Sequence, residues 1–264
     1  MENKAQIVYF SHGGGPLPIL GEPNHRAMID FMKNLPSRLN RPEAILVISA
    51  HWEEQHPTVL GASHPSMFYD YYGFPEKAFQ IQYPAPGDPE LAKRIVGMLE
   101  KNHIQARIDL NRGFDHGLFI PLELMYPEAN IPSIQLSLIR GLDSAAHVSL
   151  GKALRDLVSE NILILGSGFS FHNQLAFFDS QSEYADPEND AFQNWLIETC
   201  TGNFSQEERE QRLIEWEEAP YARYCHPREE HLLPLMVCQG LANKPAKLIF
   251  DDAILRKRCI AFEW

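Results

Sequence analysis

Four stretches of the chain are largely apolar: 6–10 (Q-I-V-Y-F), 44–50 (A-I-L-V-I-S-A), 131–138, and 161–166 (N-I-L-I-L-G). Each is short and carries Ile, Leu or Val at most positions, which predicts strands covered on both faces. Weaker strands are expected at 57–62, on a sheet edge, at 104–109, and near 246–250 and 258–263. Helical spacing lies between them. Met28, Phe31 and Met32 mark a helix over 24–34, and Asp88-Pro89-Glu90 places a cap, a first-turn proline and a first-turn acid before a helix over 89–101. Further helices are expected over 143–159, capped by Asp143 or Ser144, over 188–201, over 205–218 with a capping box at Ser205 and Glu208, and over 228–241. Such alternation predicts an α/β fold: a mostly parallel central sheet with helices on both faces. The whole chain, 1–264, reads as a single catalytic domain. The Pro-rich loop at 63–87 is long enough to expect a function for it.

Composition narrows the classes. The formal charge is −12, from 23 basic and 35 acidic residues. An acidic chain of this kind is not expected to bind nucleic acid or an anionic membrane, since both reward Lys/Arg clusters. No apolar run is long enough to span a bilayer, and the N-terminus lacks the pattern of a leader. The four cysteines (200, 225, 238 and 259) include no C-x-x-C pair, so free thiols in a reducing cytoplasm are expected rather than a disulfide scaffold or a zinc ribbon. The oligomeric state is left open.

The histidines carry the chemistry. Three strand-like segments end alike: the first runs into Ser11-His12-Gly13-Gly14-Gly15-Pro16, the second into His51-Trp52, and 161–166 into a segment ending at His172-Asn173. In an open α/β sheet, ligands bind outside the carboxyl ends of the strands. Packing does not require three histidines there. Neutral imidazoles suit Fe(II), Zn(II), Cu and Ni, and two or three of them leave positions open for substrate or water. Two more histidines, His226 and His231, are five apart and so about 140° apart on a helix. If Pro227 starts that helix, only one can face the site. Gly113-Phe114-Asp115-His116-Gly117 is a glycine-flanked loop that can bring backbone close to a ligand. The three glycines after His12 lack the spacing of a phosphate-binding loop, and Pro16 interrupts the expected helix start.

S-H-G-G-G-P at 11–16, S-A-H-W at 49–52, Y-G-F-P at 72–75, Y-P-A-P-G at 83–87, G-F-D-H-G at 113–117, H-N at 172–173 and E-H-L-L-P at 230–234 together resemble the class III extradiol ring-cleavage dioxygenases, in the branch related to 4,5-DOPA extradiol dioxygenase. The resemblance implies a mononuclear non-haem site with Fe(II) for activity, zinc being found in some relatives. His12 and His51 match the first two metal ligands, and His231 the third, where more distant relatives carry glutamate. A third histidine adds one positive charge relative to a carboxylate, which favours zinc or an iron that is harder to oxidise. His172 matches the acid/base histidine and is a possible fourth ligand. His116 matches a second-sphere catalytic histidine. Tyr72, Phe74 and Asp115, with Tyr71, are expected on the substrate side. The implied reaction opens the ring of a catechol, DOPA-like, with O₂: a small aromatic diol is held by the metal, His172 takes a hydroxyl proton, and oxygen insertion beside the diol gives a semialdehyde. A zinc-dependent hydrolase on the same three histidines is the alternative. A non-catalytic binding member of the fold is a third, disfavoured because it needs no proton shuttle.

Overall fold

The strands β1 (Gln6–Ser11), β2 (Ala44–Glu54), β3 (Thr58–Leu60), β4 (Arg107–Asp109), β5 (Ser133–Ile139), β6 (Ile162–Gly168), β7 (Lys247–Ile254) and β8 (Lys257–Glu263) form one sheet in the order β4-β3-β5-β2-β6-β1-β8-β7. The computed structural model describes residues 4–178 and 186–264. The central strands β5, β2, β6 and β1 are mutually parallel, whereas β8 runs antiparallel to β1 and β3 antiparallel to β5. The mostly parallel sheet read from the sequence is therefore present, closed at one side by a β7–β8 hairpin. Side chains of β1, β2 and β6 are buried on both faces, as their unbroken apolar runs require.

The helices are α1 (Leu17–Leu20), α2 (Arg26–Asn34), α3 (Pro89–Lys101), α4 (His116–Met125), α5 (Ser144–Ala153), α6 (Gln174–Phe178), α7 (Pro187–Thr201), α8 (Gln206–Ile214), α9 (Ala222–Cys225) and α10 (Leu233–Ala242). Asp88 caps α3 through Leu91 N–H, Asp143 caps α5, and Ser205 and Glu208 form the expected capping box on α8.

Several expectations need correction. The strand at 57–62 is not on an edge, because β4 pairs with β3 in parallel on its outer side. The helices over 143–159 and 205–218 end early, and each tightens into a 3₁₀ turn, at Arg155–Ser159 and Trp216–Glu218. Pro16 does not prevent a helix; it sits at the N-cap of α1, where its missing N–H costs nothing. The helix over 228–241 starts only at Leu233. Pro234 sits in its first turn, a place it tolerates; a helix begun at Pro227 would have put Pro234 in its interior and lost a hydrogen bond. The glycine-flanked loop at 113–117 instead opens α4, whose residues are nearly all buried and so show no amphipathic period.

Register sets the level of the site. Ser11 of β1 pairs with Gly168 of β6, and Ser49 of β2 with Ser167, so the carboxyl ends of the three strands finish side by side. Beyond Gly168 the backbone of residue 231 crosses the strand end: a Cβ on residue 168 would lie 2.1 Å from the His231 carbonyl oxygen. Only glycine fits there. That carbonyl accepts from Phe169 N–H (3.0 Å) and from the Tyr9 hydroxyl (3.1 Å), which pins His231 over the sheet end.

Candidate metal centre

Three imidazoles meet where these strands end. His51 Nε2 lies 3.0 Å from His12 Nε2 and 3.3 Å from His231 Nε2. Each ring turns its other nitrogen outward. Ser167 donates its hydroxyl to the Gly117 carbonyl (2.5 Å), so toward His12 Nδ1, 3.0 Å away, it accepts. His12 therefore carries its hydrogen on Nδ1. His231 Nδ1 donates to Glu230 Oε1 (2.7 Å), and His51 Nδ1 faces Asp70 Oδ2 at 3.5 Å. Hydrogen bonds like those on His12 and His231 fix the tautomer of metal-ligating histidines and leave the Nε2 lone pairs free. Nitrogens each about 2.0–2.1 Å from one cation stand about 2.8–3.4 Å apart at right-angle to tetrahedral geometry, so the His12–His51 and His51–His231 spacings fit a single ion.

Burial and the neighbouring imidazoles hold His12, His51 and His231 well below the ordinary histidine range, so all three are neutral and ready to donate lone pairs. A second grouping is also close: ligand atoms of His12, His51 and His116 lie within 4.8 Å of one another, as do those of His172, Glu230 and His231. His116 is committed elsewhere on one side. Its Nδ1 (2.8 Å) and backbone N–H (3.0 Å) both reach Asp70 Oδ1. Burial opposes ionisation of Asp70, but His116 and His51 overcome it and hold the carboxyl down at about 2.

His172 stacks on His231, with ring centroids 3.4 Å apart and planes 22° apart. Its Nδ1 faces the same Glu230 oxygen at 3.1 Å, and its backbone N–H donates to the Cys225 carbonyl. One carboxylate thus anchors both rings in parallel. Burial works against the charge on Glu230, but His172 and Arg228 outweigh it and lower its pKa.

The five histidines floor a cleft of about 450 Å³. Phe74, Tyr71, Phe169 and Phe177 wall it, together with Leu17, Leu255 and the Gly13–Gly15 loop. Gly13, at φ 88°, could not carry a side chain: a Cβ would lie 2.9 Å from both the His25 ring and Pro18. Tyr72 borders the cleft but is 91% exposed. Tyr71 is buried and spends its hydroxyl on the Ala78 carbonyl. Asp115 does not reach the cleft. It is fully buried behind the site, where Ser49 (2.8 Å) and Arg112 (2.9 Å) donate to its carboxylate. It occupies the N-cap position of α4 without making a capping bond. His226 is also buried away from the cleft, its Nε2 against the Ser170 carbonyl at 3.0 Å.

The family model described as the catalytic LigB subunit of aromatic ring-opening dioxygenase matches residues 7–254. The chain belongs to this family. Its members are extradiol ring-cleavage dioxygenases, oxidoreductases that depend on a metal. A protein named dioxygenase tasH from Hapsidospora irregularis is 38% identical, over 98% of this chain and 85% of that one. A 4,5-DOPA dioxygenase extradiol from Beta vulgaris is 38% identical over 95% of this chain and 92% of its own. One of the same name from Escherichia coli K12 is 33% identical over 91% and 86%. The crystal structure of an uncharacterized protein from Escherichia coli K12 superposes with a TM-score of 0.77 at 27% identity, covering 98% of both chains. No helix among the described residues is long and apolar enough to cross a membrane. The dioxygenase family does not favour the hydrolase alternative. Sequence reasoning missed Asp70 and Ser167, which contact the site histidines, and took Glu230 only as part of the E-H-L-L-P motif.

Proposed function

We propose that this chain is a mononuclear, non-haem, Fe(II)-dependent extradiol dioxygenase that opens the ring of a catechol. His12, His51 and His231 would hold the metal. The observation that carries this reading is the convergence of their three Nε2 atoms, with every Nδ1 turned to an outward partner. The metal, when bound, supplies the charge that holds the diol oxygens and the electrons that let O₂ react.

The rest of the work falls to the chain. His172 lies one ring thickness from His231, on the cleft side, and serves as general base. With its Nδ1–H on Glu230, its Nε2 takes a hydroxyl proton from the diol. The charge that His172 gains is stabilised by Glu230. His172 stacks beside a ligand ring and shares that ring's anchor, which supports a base rather than a fourth ligand. His116 faces the site from α4 with its tautomer fixed by Asp70, and serves as a proton donor or acceptor to the reacting oxygens. Phe74, Phe169 and Phe177 exclude water and present faces to an aromatic ring. Tyr72 stands exposed at the rim. A cytoplasmic location belongs to the same proposal, and is supported by four buried cysteines that form no disulfide among the described residues.

The test is anaerobic reconstitution with Fe(II), addition of a catechol, and admission of O₂. A yellow semialdehyde with one O₂ consumed per ring is expected. Full metal occupancy with no O₂ uptake on any catechol overturns the reading.

A further inference from the structure

The three metal-facing imidazoles are not held alike. His12 and His231 each have a hydrogen-bond partner on Nδ1, Ser167 at 3.0 Å and Glu230 at 2.7 Å, whereas His51 Nδ1 stands 3.5 Å from Asp70. Yet His51 is the middle ring, since its Nε2 closes on both of the others. Its backbone also leaves the regular ladder. β2 advances from Ile48 to Glu53 while β5, beside it, advances only from Leu136 to Leu138, and pairing with β6 ends at Ser49.

Side chains take the place of the ladder. His51 N–H donates to Ser49 Oγ (3.2 Å), and the His51 carbonyl accepts from Arg112 Nη2 (3.2 Å). Both holders end on one carboxylate. Ser49 Oγ donates to Asp115 Oδ1 (2.8 Å), and the same Arg112 nitrogen donates to Asp115 Oδ2 (2.9 Å). Asp115 is fully buried, and its own N–H donates to Gln135 Oε1 on β5. The Arg112 guanidinium packs against the rings of Trp52 (4.7 Å) and Phe68 (4.6 Å). A Cβ on residue 117 would lie 2.6 Å from Ser49 Oγ, so the last glycine of G-F-D-H-G makes room for this cradle. A buried ion pair is weak evidence for stability by itself. Here its polar contacts converge on the backbone of one ligand.

We propose that Asp115 and Arg112 are positioning residues: with Ser49 they fix the backbone of His51 and so aim its Nε2 at the metal. The proposal rests on the three-imidazole reading. It assigns Asp115 to the metal centre from behind, with no contact to substrate.

The test separates positioning from stability. Metal-free Asp115→Asn, Arg112→Met and the double variant are titrated anaerobically with Fe(II) against a chromophoric chelator, and denaturation midpoints are measured alongside. Each single change strands a buried partner and lowers the midpoint, whereas the double variant strands neither charge and recovers stability. Fe(II) affinity is expected to fall about 10–100-fold in all three, in the double as in the singles. Affinity that recovers with the midpoint in the double variant overturns the proposal, because the pair then acts on stability alone. Ser49→Ala removes one hydroxyl and is expected to weaken Fe(II) binding by about threefold or more. Parental affinity there overturns the proposal as well. Glu210→Gln, which breaks ion pairs with Lys152 and Arg155 outside the site, should lower the midpoint and leave affinity unchanged. An equal loss of affinity in that variant would show that destabilisation alone releases the metal, and overturns the proposal. In the metal-free double variant, amide exchange by NMR should be about tenfold faster at His51 and unchanged at Leu46, deeper in β2. Unchanged exchange at His51 overturns the proposal. If the parent protein binds no ion, the metal-centre reading fails, and the exchange measurement alone decides the positioning role.

Discussion

Two sets of histidines use their ring nitrogens differently in this molecule. His12, His51 and His231 turn their Nε2 atoms toward one another. His25, His147 and His226 are fully buried, and each spends its Nε2 on the surrounding backbone. His147 receives Ile139 N–H at Nε2 (3.0 Å) and contacts the Asp143 carbonyl at Nδ1 (2.7 Å). His25 joins Glu22 to Gly14 N–H, and His226 meets the Ser170 carbonyl. All six are held neutral chiefly by burial. Burial therefore does not separate a ligand from a structural histidine. What separates them is whether Nε2 ends on backbone or on another imidazole.

The comparison yields a graded set of expectations. The largest effect belongs to His12→Ala and His51→Ala: each should lose the metal, measured by elemental analysis, and with it all detectable O₂ uptake, while the fold persists. His172→Ala should keep the metal and lower kcat by about 10²–10⁴-fold. Metal loss in that variant would make His172 a ligand. Asp70→Asn, which loosens the outer partner of His51 and His116, should cost about 10–100-fold in metal affinity or activity. The contrasting change is His147→Ala. It should retain metal and activity but lose about 1–3 kcal/mol of stability by chemical denaturation, because it strands Ile139 N–H.

A further expectation concerns the pH dependence of stability. His226 has a pKa lowered from 6.5 to about 3, chiefly by burial. Below pH 6.5 the unfolded chain binds a proton there that the folded chain refuses. Stability from this group is thus full above about 6.5 and is lost as pH falls toward 3, by about 1.4 kcal/mol per pH unit for each such histidine. Denaturation midpoints measured from pH 7 to 4 should fall for the parent protein and fall less steeply for His226→Gln.

The central strands were legible because both faces are buried, and an unbroken apolar run then admits few alternatives. His12 and His51 were legible because they follow such runs within two residues, and His172 because its segment continues from one. Helix α4 was not: His116 to Met125 is buried almost all round and contains Pro121, so it offers neither a helical period nor a breaker-free stretch. The start of α10 was misplaced because Pro227 and Pro234 both suit a first turn, and only the second occupies one. Asp70 and Ser167 carry no periodic signal. Their part in the site depends on a loop folding back 46 residues from His116 and on a strand neighbour of β1, which only the tertiary structure brings together. Asp115 was expected on the substrate side. It instead points the other way, under the strand ends, toward Ser49 and Arg112.

His116 lies close enough to His12 and His51 to compete with His231 for the third place on the metal. The most direct measurement is therefore an anaerobic metal titration of metal-free parent protein, His231→Ala and His116→Ala. The expected result is one ion per chain in the parent, at least a 100-fold loss of affinity in His231→Ala, and a change of less than tenfold in His116→Ala. Unchanged affinity in His231→Ala, with the loss falling on His116→Ala, would contradict the three-imidazole centre described here.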